Sequence, residues 1–366
     1  MDRIHLLIWV SALVDACCAA AGVSWALGGG VRRALAAGAL LATIAVAKLA
    51  LLLAVGLDMP FGVAYVLYLD VVIALPVAGF VLALGGWARR AWRLVGACLV
   101  LLAPVGAYAS FIEPARIVTE RDDVALSSDR SGEAPVTIGV LADLQFREVG
   151  DEQREAVERV LAARPDVILL PGDLQQGGGD ELTRTLPEVR RLLGRLRAPG
   201  GVYFVLGDVE GLGKARQQLA GTGVRLLLNR VTTVRVRDRT LSIGGTELDY
   251  RTPAARRTVR RLEDAPGEED IRLLVTHRPD SALTLERGTR VDLVVAGHTH
   301  GGQIQLPLLG PLTVSSRVER SVGAGGLHDV GGGRRLYVSR GVGLERRQAP
   351  PIRFGAPPEV SLLRLR

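Results

Sequence analysis

Four apolar runs crowd the first 112 residues of the chain: about His5–Leu27, Ala34–Leu57, Pro60–Leu84 and Trp92–Phe111. A backbone crossing hydrocarbon must pair its own N–H and C=O groups, and a helix of ~20 apolar residues does so across a bilayer. Each run is near or above that length. Residues 1–112 are therefore expected to form four transmembrane helices of a multi-pass cell-membrane protein. The first run also has the short basic start and small residues ("AAAG") of a cleaved signal peptide. Three more runs follow at once and Asp15 sits in its middle, so the spanning reading is preferred.

Orientation follows from the arginines. Arg32 and Arg33 lie between the first two runs, and Arg89, Arg90 and Arg93 between the last two. The middle loop, "GLDMP", has no basic residue, so the basic loops are expected in the cytoplasm and everything after Phe111 outside it. Arg3, Arg116 and Arg121 pull weakly the other way. Asp15, Lys48 and Asp70 fall inside the runs, where an ionisable residue is a functional candidate by default. The preferred reading is an interhelical Asp–Lys pair, or side chains near an interface reaching for water, with an ion path as the alternative.

All three cysteines (Cys17, Cys18 and Cys98) belong to this apolar region, so the remainder has neither disulfides nor thiolate ligands to draw on. A metal there must be held by His, Asp, Asn or Gln. The net charge of +7 divides into +3 for residues 1–112 (seven basic, four acidic) and +4 for the rest. Spread so thinly, and without a dense basic tract carrying aromatics, that charge argues against nucleic acid as a partner.

Residues 113–135 are polar and aperiodic and are expected to be a linker. From Val136 to Arg366, apolar runs ("VTIGVLAD", "DVILLPGD", "VYFVLGD", "RLLLN", "IRLLVTH", "VDLVVAGH", "RLYVSRG") alternate with amphipathic stretches such as "DEQREAVERVLAAR". That pattern predicts an α/β layered domain, β-sheets flanked by helices, with one sizeable core. The "GGG" runs at Gly177–Gly179 and Gly331–Gly333 are expected at loop tips.

Five of the apolar runs end in residues that bind hard or borderline cations: Asp143 with Gln145 just beyond, Asp173, Asp208, His277, and His298 with His300. A single aspartate there is usually a cap or turn residue. Five such strand ends, with four of the chain's five histidines beyond residue 270, are hard to assign to caps. Parallel strands would bring them to one edge of a sheet. The remaining late histidine, His328, lies in a Gly-rich loop and is read as structural.

The pieces "DLQ", "GDLQ", "GDVE", "VTHRPD" and "GHTHGGQ", with spacings of 30 and 35 residues between Asp143, Asp173 and Asp208, resemble the calcineurin-like metallophosphoesterases. The likeness is specifically to their membrane-anchored bacterial branch, which the tail "LYVSRGVG…PIRFGAPPEVSLLRL" also resembles. The resemblance implies two divalent ions, of Mn, Fe or Zn, bridged by Asp173. Asp143, Gln145 and His300 would complete one site; Asp208, His277 and His298 the other. Asp173 and His298 would be the catalytic residues. Such a pair clamps a phosphoryl group in an in-line displacement.

Three positions depart from the pattern. Gln145 stands where the family has a histidine, Asp208 where it has an asparagine, and Val209 where a histidine assists the leaving group. Valine moves no proton, and losing a general acid costs about 10²–10⁴ in rate; the role is vacant or filled elsewhere, by Arg147 or a water. The expected activity is a membrane-anchored, metal-dependent phosphoesterase cleaving a phosphodiester or pyrophosphate bond. A lipid headgroup or lipid-linked nucleotide is the expected substrate. The alternative is a non-catalytic metal- or phosphate-binding module on the same anchor.

Overall fold

The computed structural model describes residues 3–85, 90–126, 130, 132–267, 270–345 and 349–366. Arg89, one of the loop arginines used above, and residues 127–129 and 131 of the expected linker lie outside them. The chain divides into two compact units, Met1–Ile112 with Glu345–Pro351, and Glu113–Leu344 with Ile352–Arg366.

Four helices, all beginning in the first unit, are long and apolar enough to cross a membrane: Arg3–Leu27, Gly30–Ala54, Phe61–Gly85 and Arg90–Ala115. Their apolar residues run all round, and many of the large ones (Leu13, Val31, Leu35, Val46, Leu84) face outward. The third helix widens into a π-helical turn over Asp70–Ala74, just ahead of Pro76. A proline ring clashes with the carbonyl four residues back in a regular α-helix, and a wider turn relieves that clash. Lys48 hydrogen-bonds both Asp15 and Asp70, at 2.9 Å to Asp70 Oδ2, so three helices share one partly buried ionic triad. Removing the ammonium alone would strand two carboxylates in apolar surroundings, which is why all three charges are kept together.

The second unit is built on two six-stranded sheets. The first runs Val118–Val124, Glu359–Leu365, Val136–Val140, Val167–Leu170, Val202–Phe204, Arg225–Leu226; the second runs Gly326–Asp329, Arg335–Val338, Leu293–Ala296, Ile271–Val275, Arg239–Gly245, Arg230–Val236. Alternate side chains decide the layering. Ile138, Val140, Leu169 and Tyr203 of the first sheet pack on Ile243, Leu273, Val275 and Val295 of the second. The opposite face of the first sheet (Ile168, Leu170, Phe204) is covered by helices Asp151–Ala162, Gly179–Leu193 and Leu212–Leu219. On the outer face of the second, Leu274 and Val294 meet Leu262 of helix Pro253–Glu263. That helix begins where Thr252 Oγ1 accepts from Ala255 N at 3.1 Å, with proline at its first position.

Two expectations are corrected. The segment 113–135 is not a plain linker, because Val118–Val124 pairs in parallel with Glu359–Leu365 along seven residues. It is an edge strand with charged side chains on its open face, so it shows no apolar periodicity. The strands also do not share one sheet edge: fully apolar strands look alike whichever sheet they join, and only pairing separates them.

Candidate metal centre

The strands leading to Asp143, Asp173 and Asp208 are parallel neighbours in the first sheet. Those leading to His277 and His298 are parallel neighbours in the second. Both sets of strand ends meet in two groups of converging ligand atoms, Asp143–Asp173–His277 and Asp208–His277–His298. His277 Nε2 lies 3.6 Å from Asp173 Oδ2, 3.2 Å from Asp208 Oδ2 and 3.2 Å from His298 Nδ1. His298 Nδ1 is 3.0 Å from Asp208 Oδ2.

Outer contacts aim both rings. The Nδ1 of His277 lies 2.7 Å from the Pro171 carbonyl and donates to it, leaving Nε2 as the inward lone pair. His298 is turned the other way, its Nε2 on the Ser315 carbonyl at 2.8 Å and its Nδ1 inward. Asp280 in turn fixes that loop, accepting from Ser316 Oγ at 2.9 Å and Arg317 N at 2.6 Å.

The backbone pays a conformational cost here. Asp143, Gln145, Asp173, His298 and His300 all have φ between 38° and 74°, a region that side chains with a Cβ rarely adopt. Each such residue costs roughly 1–3 kcal/mol, and strain of this kind gathers at functional sites. Gly207 shows the tightness from the other side, since a methyl group built on it would overlap the Asp173 carboxylate. Gly207→Ala is therefore expected to lower bound metal several-fold while far-ultraviolet circular dichroism stays native; unchanged metal content would refute the close approach.

Three carboxylates draw positive charge to the centre. Although burial opposes it, the charge of Asp173 and the hydrogen bond to Asp208 raise His277 to about 10. Burial pushes Asp143 well above the usual carboxylate range, with His277 opposing. Against its own burial, Asp208 is held below that range by hydrogen bonds from His277, His298 and Arg278.

Among the other nominated residues, Gln145 lies beside the centre and its Nε2 donates to Asp173 Oδ2 at 3.2 Å. His300 joins neither group; its buried ring has Nδ1 3.5 Å from the Arg353 guanidinium. Burial and that charge together keep the ring neutral. The half-exposed Val209 donates its N–H to Asp173 Oδ1 at 2.9 Å. Arg147 pairs with Glu181 at 3.1 Å, and His328 Nε2 rests on the Gly325 carbonyl.

Three supporting residues escaped the sequence reading. Buried Glu210 accepts from Gly207 N and Leu174 N, tying two ligand loops together, and its burial and the nearby Asp173 charge raise it to about 7. Arg278 hydrogen-bonds Asp208. Fully buried Arg353 donates to the carbonyls of Arg340, Gly341 and Ala356. The "GDVE" and "THRPD" pieces offered the first two; nothing about "PIRFG" marks a buried arginine.

The donors fit a pair of divalent cations. Asp143 Oδ1 and Gln145 Oε1 are buried without a hydrogen-bond partner among the described residues, a costly state that an ion would relieve. Oxygen and imidazole donors without thiolate suit Mn, Fe or Zn. Two stacked sheets with paired Asp/His clusters at their strand ends define a metal-dependent hydrolase. Residues 136–302 match the calcineurin-like phosphoesterase family. The metallophosphoesterase YkuE of Bacillus subtilis is 28% identical over 267 residues, 71% of this chain and 89% of that protein. The phosphodiesterase YaeI of Escherichia coli is 26% identical over 76% of this chain and 98% of its own. A dimetal phosphatase from Danio rerio aligns over 57% of this chain and 88% of its own at 13% identity, and its TM-score of 0.36 carries no weight.

Proposed function

We propose that this is a membrane-anchored phosphoesterase that cleaves a phosphodiester or pyrophosphate bond in a lipid headgroup or lipid-linked nucleotide. The observation that carries the reading is the pair of ligand clusters sharing His277, in a chain that also has four bilayer-length helices. Bound divalent ions would supply Lewis-acid charge for the phosphoryl oxygens and acidity for a nearby water. Asp143, Asp173 and Gln145 would hold one ion, and Asp173, Asp208, His277 and His298 the other. His300 would act from behind the first. Asp173 suits the shared position because its two oxygens face different partners, Val209 N and Gln145 Nε2. Arg278, half-exposed and bonded to Asp208, is placed to offer its remaining N–H groups to a phosphoryl oxygen. The four helices would keep this site at the bilayer, on the non-cytoplasmic side by the loop arginines.

The test is turnover of bis(p-nitrophenyl) phosphate by the full chain with added Mn²⁺. Activity that disappears in Asp173→Asn supports the reading. Metal bound without turnover would favour the binding-module alternative, for which Val209, unable to move a proton, is the motivating residue. For sidedness, alkaline phosphatase fused after Phe111 is expected to be active; an inactive fusion with an active cytoplasmic reporter reverses the orientation.

A further inference from the structure

After Ile112, the described residues expose four large apolar side chains: Leu283, Leu308, Leu309 and Leu312. Three of them fall in "LPLLGPL", a short hairpin pairing Gln305–Leu306 with Gly310–Pro311, and Leu308 at its tip is fully exposed. Leu283 lies in the last part of the 3₁₀ turn Pro279–Thr284 that follows His277, and the hairpin follows His300. The exposed leucines therefore sit on the two segments that leave the second sheet's candidate ligands.

The hairpin is held out rather than folded back. Its root is tied by Gln305 N to Phe354 O at 2.7 Å, and by Gln305 Nε2 to Gly301 O at 3.0 Å and Ala324 O at 2.8 Å. Leu308 has φ 67°, a turn conformation in which glycine or asparagine is the ordinary choice. Among the described residues, a leucine there accepts backbone strain and full exposure together. An apolar solvent for the side chain would offset both.

We infer that this hairpin is a bilayer anchor: Leu308, Leu309 and Leu312 enter the acyl-chain boundary and bring the candidate metal centre to lipid phosphates. The occupant is a lipid surface because only Arg116 and Ile117 separate the last bilayer-length helix from the first strand of the domain. A tether that short keeps the domain at a membrane. Burying one leucine shifts a partition equilibrium by roughly tenfold or more, so three add a substantial bias to a domain already tethered. This rests on reading residues 1–112 as membrane-spanning.

The experiment uses the full chain in vesicles of phosphatidylcholine and phosphatidylglycerol, with Cys17, Cys18 and Cys98 replaced by alanine. A nitrobenzoxadiazole label is attached through Leu309→Cys, in parallel through Leu312→Cys, and as a control through Asp180→Cys on the exposed start of helix Gly179–Leu193. Expected are blue-shifted emission at 309 and 312, with loss of that emission when the lipids carry bromine on their acyl chains, and neither effect at 180. Water-like, unquenched labels at 309 and 312 overturn the inference. So does a shielded label that bromolipid leaves unquenched, which would mean a protein occupant or a second copy. Alkaline carbonate extraction separates the two claims. Chain retained in the vesicles with a water-exposed label sinks the anchor alone, and chain washed away sinks both. Neither readout depends on hydrolysis.

Discussion

Asp173→Ala is expected to lower divalent-ion content more than any other single ligand change. The loss should exceed the roughly 10–100-fold in affinity that removing a ligand's hydrogen-bond partner costs. On the proposed reading Asp173 would serve both ions: its Oδ2 lies 3.6 Å from His277 Nε2 and accepts from Gln145, while Oδ1 accepts from Val209 N. With Mn²⁺ present, the parent should gain stability and Asp173→Ala should gain far less, as binding only to the folded state requires. His328→Ala is the control. Elemental analysis and melting curves read both effects, and a metal-replete Asp173→Ala protein would mean the ligands have been misassigned.

Much of this centre was legible because ligand-type residues close apolar runs, which is where parallel strands present side chains. The runs before Asp143, Asp173, His277 and His298 are indeed strands, and their ends converge. Which sheet each joins was not legible, because Val167–Leu170 and Leu293–Ala296 are equally apolar on both faces. Pairing is a long-range choice made by neighbours. The hairpin Arg230–Val236 with Arg239–Gly245 was missed although "RVTTVRV" alternates at a strand period. There the signal was present and unused. Val118–Val124 carried none, since an edge strand rich in Glu, Arg and Asp reads as a solvated segment. The left-handed backbone at five of the seven nominated residues was equally hidden, for none of them is glycine. Strain of that kind is imposed by the surrounding fold and leaves no local trace.

Val209→His should raise phosphodiester turnover, and Gln145→His should not do so by the same route. A histidine at 209 would place a proton donor beside the leaving group, where a general acid contributes about 10²–10⁴. The backbone there is already fixed by Val209 N on Asp173 Oδ1, and the half-exposed side chain has room to reach solvent and substrate. Metal affinity should stay put, because the new ring is not needed to hold an ion. Gln145 is the complementary case. Its Oε1 is buried without a partner among the described residues, as a weak neutral ligand awaiting an ion would be. Imidazole nitrogen binds a borderline cation more tightly than amide oxygen. Metal titration of the parent should therefore show two unequal affinities, with activity rising as the weaker site fills, and Gln145→His should bring the two closer. An unchanged titration in Gln145→His would mean that residue 145 acts through its hydrogen bond to Asp173 rather than as a ligand. A silent Val209→His, in a parent that does hydrolyse phosphodiesters, would move the search for a proton donor to water ordered by Arg278.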